Sequence, residues 1–285
     1  MKKLKIAPSS LFNNYDLCIN RQEHQTDVKL HTHSFKELVI IMAGQAVHFS
    51  GNDSYPIMAG DCFVVDEAHG YRESVGFELV NVLFIPDKLN LPWNEARKLP
   101  GYNAFFALEP RYRKEHNFRS ILRLSPDKLA TCSSIIDNIE VEITQKRSGF
   151  EFVSSSLFMQ LIAIISRAYA SSAKPQHVTL MGISNVISHI ENRFSEEIRL
   201  TDLMTISKLS EGQLLREFRK ATGHTPVDYL LRLRLRNAAH ILRHEKCSIT
   251  DIAFRCGFND SNYFTRQFTR VLGISPREYR NLRNN

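Results

Sequence analysis

From about residue 200 onward the apolar and polar positions spell one pattern twice. Leu214, Arg216, Phe218, Gly223, Pro226 and Tyr229 return fifty positions later as Phe264, Arg266, Phe268, Gly273, Pro276 and Tyr279. Upstream, Leu203 and Leu209 match Ile252 and Phe258 at an offset of forty-nine, so the second copy carries one extra residue in its turn. An insertion confined to a turn is what a duplicated helix-turn-helix tolerates. In each copy a four-residue spacing, Leu214 to Phe218 and Phe264 to Phe268, sets two side chains inward on one helix. Gly212, Leu215, Arg216 and Arg219 then face outward in the first copy. Ser261, Asn262, Thr265, Arg266 and Thr269 do so in the second.

The caps agree with this reading. Ser210 with Gln213 predicts a capping box for a helix from Glu211 to Lys220, Ser248 with Asp251 an acidic version, and Asn259 or Asp260 caps the second outward-facing helix. Between the copies, Pro226 to about Leu242 predicts one long helix with Tyr229, Leu230, Leu233, Ala238 and Leu242 inward. Its Arg232, Arg234 and Arg236 scatter by about 200° per step and form no single row, so they divide between phosphate contacts and solvated or paired positions. A further helix, Met181 to Phe194, turns Ile183, Val186, Ile187 and Ile190 to one side.

The first half has another rhythm. Short apolar runs, Leu38–Met42, Ala46–Phe49, Tyr55–Ile57, Cys62–Val65 and Phe77–Phe84, alternate with Gly44, Gly51, Gly60, Gly70 and Gly76, which predicts a small antiparallel barrel or sandwich. Residues 86–124 follow no period. Pro126-Asp127 opens a helix with Cys132, Ile135, Ile136, Ile139 and Ile143 at helical spacing, ended by Lys146 to Gly149. A second helix, Glu151 to Tyr169, carries Val153, Leu157, Phe158, Leu161, Ile162 and Ile165, widened by Ile164 and Ala168. Such a hairpin, residues 127–170, can cover the sheet and present a stripe to a second copy, a homodimer contact. The predicted architecture is α+β in two domains, 1–170 and 178–285, joined by a linker at 171–177.

Composition narrows the function. Hydrophobic residues make up 43% and charged residues 24% of the chain, ordinary for a globular protein. No unbroken apolar run reaches the roughly eighteen residues of a membrane span, and no apolar segment follows the basic N-terminus, so a cytoplasmic protein without membrane association is expected. Cys18, Cys62, Cys132, Cys247 and Cys256 are scattered, and read as reduced thiols, not a zinc site or disulfide frame. The net charge of +7 is concentrated: residues 176–285 hold 17 Lys and Arg against 11 Asp and Glu, residues 1–175 hold 20 against 19. The repeated segment is thus the part that attracts a phosphate backbone.

The run Ala253-Phe-Arg-Cys-Gly-Phe-Asn-Asp-Ser-Asn-Tyr-Phe-Thr-Arg-Gln-Phe268, followed by Gly273-Ile-Ser-Pro276 and Tyr279-Arg280, resembles the signature of the AraC/XylS transcription regulators. The likeness covers roughly residues 180–283. It implies that Arg216 and Arg266, with their outward neighbours, enter consecutive major grooves of double-stranded promoter DNA, about 34 Å apart. It also implies contact with RNA polymerase. Met204 departs from the family, which keeps a small residue there as at Ala253. Gly212 and Leu215 offer no side-chain hydrogen bonds, so the second copy carries more of the polar readout, with Leu215 left to touch a thymine methyl.

His31-Thr-His33 and Glu37, six residues before Gly44, match the spacing of metal-binding cupin barrels, and His69 follows Gly60-Asp61 downstream. Sugar-responsive members of the family have cupin-like domains that keep such residues without a metal. The resemblance therefore implies a pocket for a small effector, such as a sugar, built from His31, His33, Glu37 and His69 with Tyr71 and Trp93 as aromatic surfaces. No metal and no cofactor is expected. The segments Asn81 to Pro86 and Leu99 to Asn103 resemble the rhamnose-responsive activators. The leading reading is an effector-controlled, sequence-specific transcription regulator, an activator and not an enzyme. Its competitors are a metal-dependent cupin enzyme fused to a DNA-binding domain, an effector-independent repressor and a nonspecific architectural binder.

Overall fold

The computed structural model describes residues 4–5, 11–12, 15–22, 28–50, 53–65, 69–110, 121–172 and 178–281. The chain divides into two compact units, Met1–Leu180 and Met181–Asn285. Most of the expected linker, residues 173–177, and Gly51 lie outside the described residues.

The first unit is built on an eight-stranded sheet. Its strands are β1 (Leu4–Lys5), β2 (Leu17–Gln22), β3 (Val28–Thr32), β4 (Lys36–Ser50), β5 (Asp53–Met58), β6 (Asp61–Val65), β7 (His69–Phe84) and β8 (Leu122–Arg123). The order is β1-β3-β7-β4-β6-β8, with β2 added to β7 and β5 to β4, antiparallel throughout except β1 on β3. The sequence reading cuts these strands too short. Gly44 and Gly76 are not turns but bulges inside the two long strands β4 and β7, where the register slips between Ile41 and Val47. Both have positive φ, +70° and +54°, and a Cβ on Gly44 would lie 2.1 Å from the Gly76 carbonyl oxygen, so only glycine fits that crossing.

Alternation along β4 and β7 separates two apolar faces. Val39, Ile41, Phe63, Val65 and Leu79 join Ala46, Tyr55, Ile57, Tyr71 and Phe77 in one core. The opposite positions, Leu38, Ile40, Val80, Val82 and Phe84, are equally buried. The segment after the sheet, without period in the sequence, folds as α1 (Trp93–Arg97) and α2 (Pro100–Tyr102), the latter running on into a π-helical turn at Asn103–Leu108.

The helical hairpin is α3 (Pro126–Gln145) and α4 (Phe150–Ser171), joined through left-handed Lys146 and Gly149. Phe158 of α4 packs on Phe84 with ring centroids 5.0 Å apart. The buried face of α4 is Ser154, Phe158, Leu161, Ile162, Ile165, Ser166, Ala168 and Tyr169. Val153, expected inward, is exposed together with Phe152 and Val141. Although polar residues interrupt every apolar run in it, α4 has the length and mean hydropathy, 1.3, to cross a membrane. That apolarity is spent on the core contacts just named.

The second unit is all helical: α5 (Val178–Arg193), α6 (Leu200–Ser207), α7 (Glu211–Thr222), α8 (Pro226–His244), α9 (Ile249–Arg255), α10 (Ser261–Leu272) and α11 (Pro276–Asn281). The duplication is spatial as well as sequential. Leu214, Phe218, Phe264 and Phe268 are fully buried. Gly223 and Gly273 end α7 and α10 at φ +80° and +81°. Phe218 meets Tyr229 edge-on at 5.6 Å, and Phe268 meets Tyr279 edge-on at 5.4 Å. The additional residue of the second copy, Asn259, falls in the turn between α9 and α10. Along α8, Leu235 is buried, whereas Tyr229 and Leu230, expected inward, are half-buried. No described cysteine is bonded to another, and burial pushes the Cys132 and Cys256 thiols up to about 11.

Candidate nucleic-acid interface and effector cavity

Helices α7 and α10 hold all nine residues picked for DNA contact. Gly212, Arg216 and Arg219 are exposed on α7, with Leu215 half-buried. On α10, Asn262, Arg266 and Thr269 are exposed and Ser261 and Thr265 half-buried. Thr265 and Thr269 spend their hydroxyl protons on the carbonyls of Ser261 and Thr265, 2.9 Å each, leaving methyls and lone pairs outward. The two arginines differ. Arg216 Nε donates to Glu217 at 3.1 Å, while Arg266 has no ion-pair or hydrogen-bond partner among the described residues. Its five donors are free for a base edge or phosphate.

The frame around these faces is fixed by caps. Thr225, Ser248 and Asp260 accept the backbone N–H groups of Asp228, Asp251 and Asn262, respectively. For α11, Ser275 and Glu278 exchange bonds in a full capping box. Ser210 stands at the N-cap of α7, but its side chain makes no cap bond, so the box expected with Gln213 does not form. The three arginines of α8 are committed internally. Arg232 pairs with Asp228 at 2.9 Å, Arg234 donates to the carbonyls of Phe194 and Glu196, and Arg236 meets buried Glu191 at 3.4 Å.

In the first unit, a cavity of about 210 Å³ opens beside β2, β3 and β7. Its lining includes His31, Glu37 and Tyr71 from the sequence reading, together with Asn20, Gln22 and Asn81. It is smaller than the ~300–1,000 Å³ of drug-sized sites and suits a small polar ligand. His33 and His69 stand behind Glu37, their Nε2 atoms 3.0 and 3.3 Å from its Oε2. Burial alone would raise the Glu37 carboxyl, but the imidazoles of His33 and His69 outweigh it and hold the group well below the usual carboxylate range. Burial, with His69 nearby, lowers the pKa of His31, favouring the neutral ring.

Trp93 is elsewhere. Its Nε1 donates to the carbonyls of Pro86 and Leu89, and its ring stacks near Phe84 on the sheet face covered by helices. It lines no part of the cavity. The polar residues that sequence reasoning missed share one signal. Asn20 and Gln22 alternate along β2, and Asn20 is directly opposite Asn81 on β7. Asn81 Oδ1 is buried without a hydrogen-bond partner, a group that a ligand hydroxyl or amine would satisfy.

Comparison with known proteins agrees with both halves. Residues 14–162 match the AraC-like ligand-binding domain and residues 203–282 a helix-turn-helix domain. The HTH-type transcriptional activator RhaR of Mannheimia succiniciproducens is 29% identical over 266 residues, covering 93% of this chain and 91% of its own. RhaR of Escherichia coli strain K12 is 32% identical over 257 residues, 88% and 86% of the two chains. The DNA-binding domain of AdpA, a global transcriptional factor solved with a target DNA, is 29% identical, covering 35% of this chain and 89% of its own at a TM-score of 0.33. A ligand-binding domain followed by a duplicated helix-turn-helix, with relatives of this kind over nearly its whole length, places the chain in the AraC family of transcription regulators.

Proposed function

We propose that this protein activates transcription by seating α7 and α10 in successive major grooves of promoter DNA under the control of a small effector held in the first unit's cavity. The observation that carries this reading is the repeated geometry of the second unit: two helices of one length, each anchored by two buried side chains and closed by a left-handed glycine, each turning an arginine outward. On α10 the arginine and Asn262 supply paired donors and acceptors for base edges, whereas Gly212 and Leu215 on α7 supply close approach and an apolar contact. Effector binding shifts the population toward the arrangement that engages both grooves.

The polar lining of Asn20, Gln22 and Asn81 beside Tyr71 favours a polyhydroxylated effector of the sugar class, consistent with relatives named RhaR. The exposed Val141, Phe152 and Val153 of the hairpin suit a second copy of the chain, and an activator of this design works in the cytoplasm against RNA polymerase. Genome-wide footprinting with and without a panel of sugars is the test. Protection of paired sites on one face of the duplex, strengthened by one sugar and followed by increased transcription, is expected. Protection independent of every sugar, or sequence-independent binding, would remove the effector-controlled activator.

A further inference from the structure

We propose that His31, His33, Glu37 and His69 bind a divalent transition-metal ion at the wall of this cavity, a site that reverses the metal-free expectation from sequence. One ligand atom from each of the four lies within 4.8 Å of all the others. Around one ion at bond lengths of about 2.0–2.2 Å ligand atoms stand roughly 3.0–4.4 Å apart, so binding draws the four side chains together by up to about 1.5 Å. All four residues are less than a tenth exposed.

Two of the rings are already oriented for the task. A carbonyl oxygen only accepts, so His31 Nδ1 donates to Lys29 O at 3.1 Å and His33 Nδ1 to Phe35 O at 2.8 Å. In a neutral ring this leaves Nε2 as a bare lone pair, the arrangement that outer carbonyls impose on ligating histidines. His33 Nε2 then points its lone pair at Glu37 Oε2, 3.0 Å away. No aligned hydrogen bond reaches that nitrogen or either ring nitrogen of His69 among the described residues, although the two Nε2 atoms lie 3.0 and 3.3 Å from Glu37 Oε2. A carboxylate and imidazole nitrogens converging in a site nearly removed from water call for a cation among them, a proton or a metal ion. One metal ion answers them together. Three imidazoles and one carboxylate select zinc, iron(II), nickel or cobalt over magnesium or calcium, which prefer all-oxygen sites.

The inference is independent of the effector's identity and of DNA binding, and its test uses neither. The full-length chain, made without a polyhistidine tag and stripped with a chelator, is titrated with cobalt(II) and followed by visible d–d absorption and elemental analysis. One cobalt per chain is expected, displaced by zinc, with affinity reduced at least tenfold in His69→Gln and in Glu37→Gln. The stacked surface pair His240 and His244 is the control: His240→Asn/His244→Asn should bind as the parent does. A buried substitution can prevent folding, so the unmutated cobalt form gives a second readout, solvent-exchangeable paramagnetically shifted N–H resonances from at least His31 and His33. Absence of stoichiometric uptake, uptake that survives both site variants or disappears with the surface pair, or bound cobalt without those shifted resonances, would overturn the proposal.

Discussion

Arg234 Nε donates to the carbonyl oxygen of Phe194 at 2.6 Å, and its Nη2 reaches that of Glu196 at 2.8 Å, tying the long helix α8 to the chain that follows α5. The guanidinium thus fills the hydrogen-bonding needs of a segment that has left its helix. Arg234→Ala should destabilise the protein by about 1–3 kcal/mol in urea unfolding, through unsatisfied carbonyls. The slope of log Kd against log salt for DNA binding should not change. A slope reduced by about one unit would mark Arg234 as a phosphate contact instead.

Arg266 stands free on α10 while Arg216 is engaged by Glu217. Arg266→Ala is expected to weaken specific binding by about 1–3 kcal/mol and to relax preference at one or two base pairs. Affinity measurements on a randomised operator library would show both effects. An unchanged preference would remove α10 from the groove.

Asn81 lines the cavity and Trp93 does not. Asn81→Leu should raise the effector concentration for half-maximal induction by roughly 5–150-fold, the equivalent of losing one buried hydrogen bond of about 1–3 kcal/mol. Trp93→Phe should leave that concentration unchanged and lower the unfolding free energy by about 1 kcal/mol, since only the bond to Pro86 and Leu89 is lost. Dose–response curves in a reporter strain, with unfolding of the purified variants, distinguish the two.

Capping makes a prediction about the two copies. Asp260 accepts the backbone N–H of Asn262 at 2.8 Å, whereas Ser210 makes no equivalent bond. Asp260→Ala should cost about 0.5–2 kcal/mol and Ser210→Ala distinctly less, by chemical denaturation. Equal losses would show that Ser210 caps α7 in solution.

Phe152 on α4 is 78% exposed beside exposed Val153. If this surface joins two copies, Phe152→Asp should shift the protein to monomer in sedimentation velocity without lowering its thermal stability at low concentration. A dimer that persists would place the contact elsewhere.

What the sequence made legible follows from period and duplication. The buried pairs Leu214/Phe218 and Phe264/Phe268 and the hairpin core at Ile135, Ile136, Ile139, Phe158 and Ile162 could be read because helical spacing repeats over several turns. The long strands could not. Gly44 and Gly76 look like turn residues in one dimension, and only their apposition across β4 and β7 makes them bulges. The cavity was half legible: His31 and Glu37 stood out by chemistry, but Asn20 and Asn81 become a pair only through strand register. In Trp93 the sequence displays only an aromatic ring, and its place is set by the bonds of Nε1 to two local carbonyls.

Lys208 and Gly257 occupy the same left-handed position in the two turns, at φ +56° and +82°. A Cβ on Gly257 would come within 2.7 Å of the Ser195 carbonyl oxygen, a neighbour that belongs to neither copy. Lys208 tolerates the same dihedral with a full side chain, at a modest backbone cost. The ancestral halves have therefore ceased to be spare parts for one another: grafting the first turn onto the second half would collide with the scaffold, while the reverse graft would meet no such wall, so drift between them is one-way.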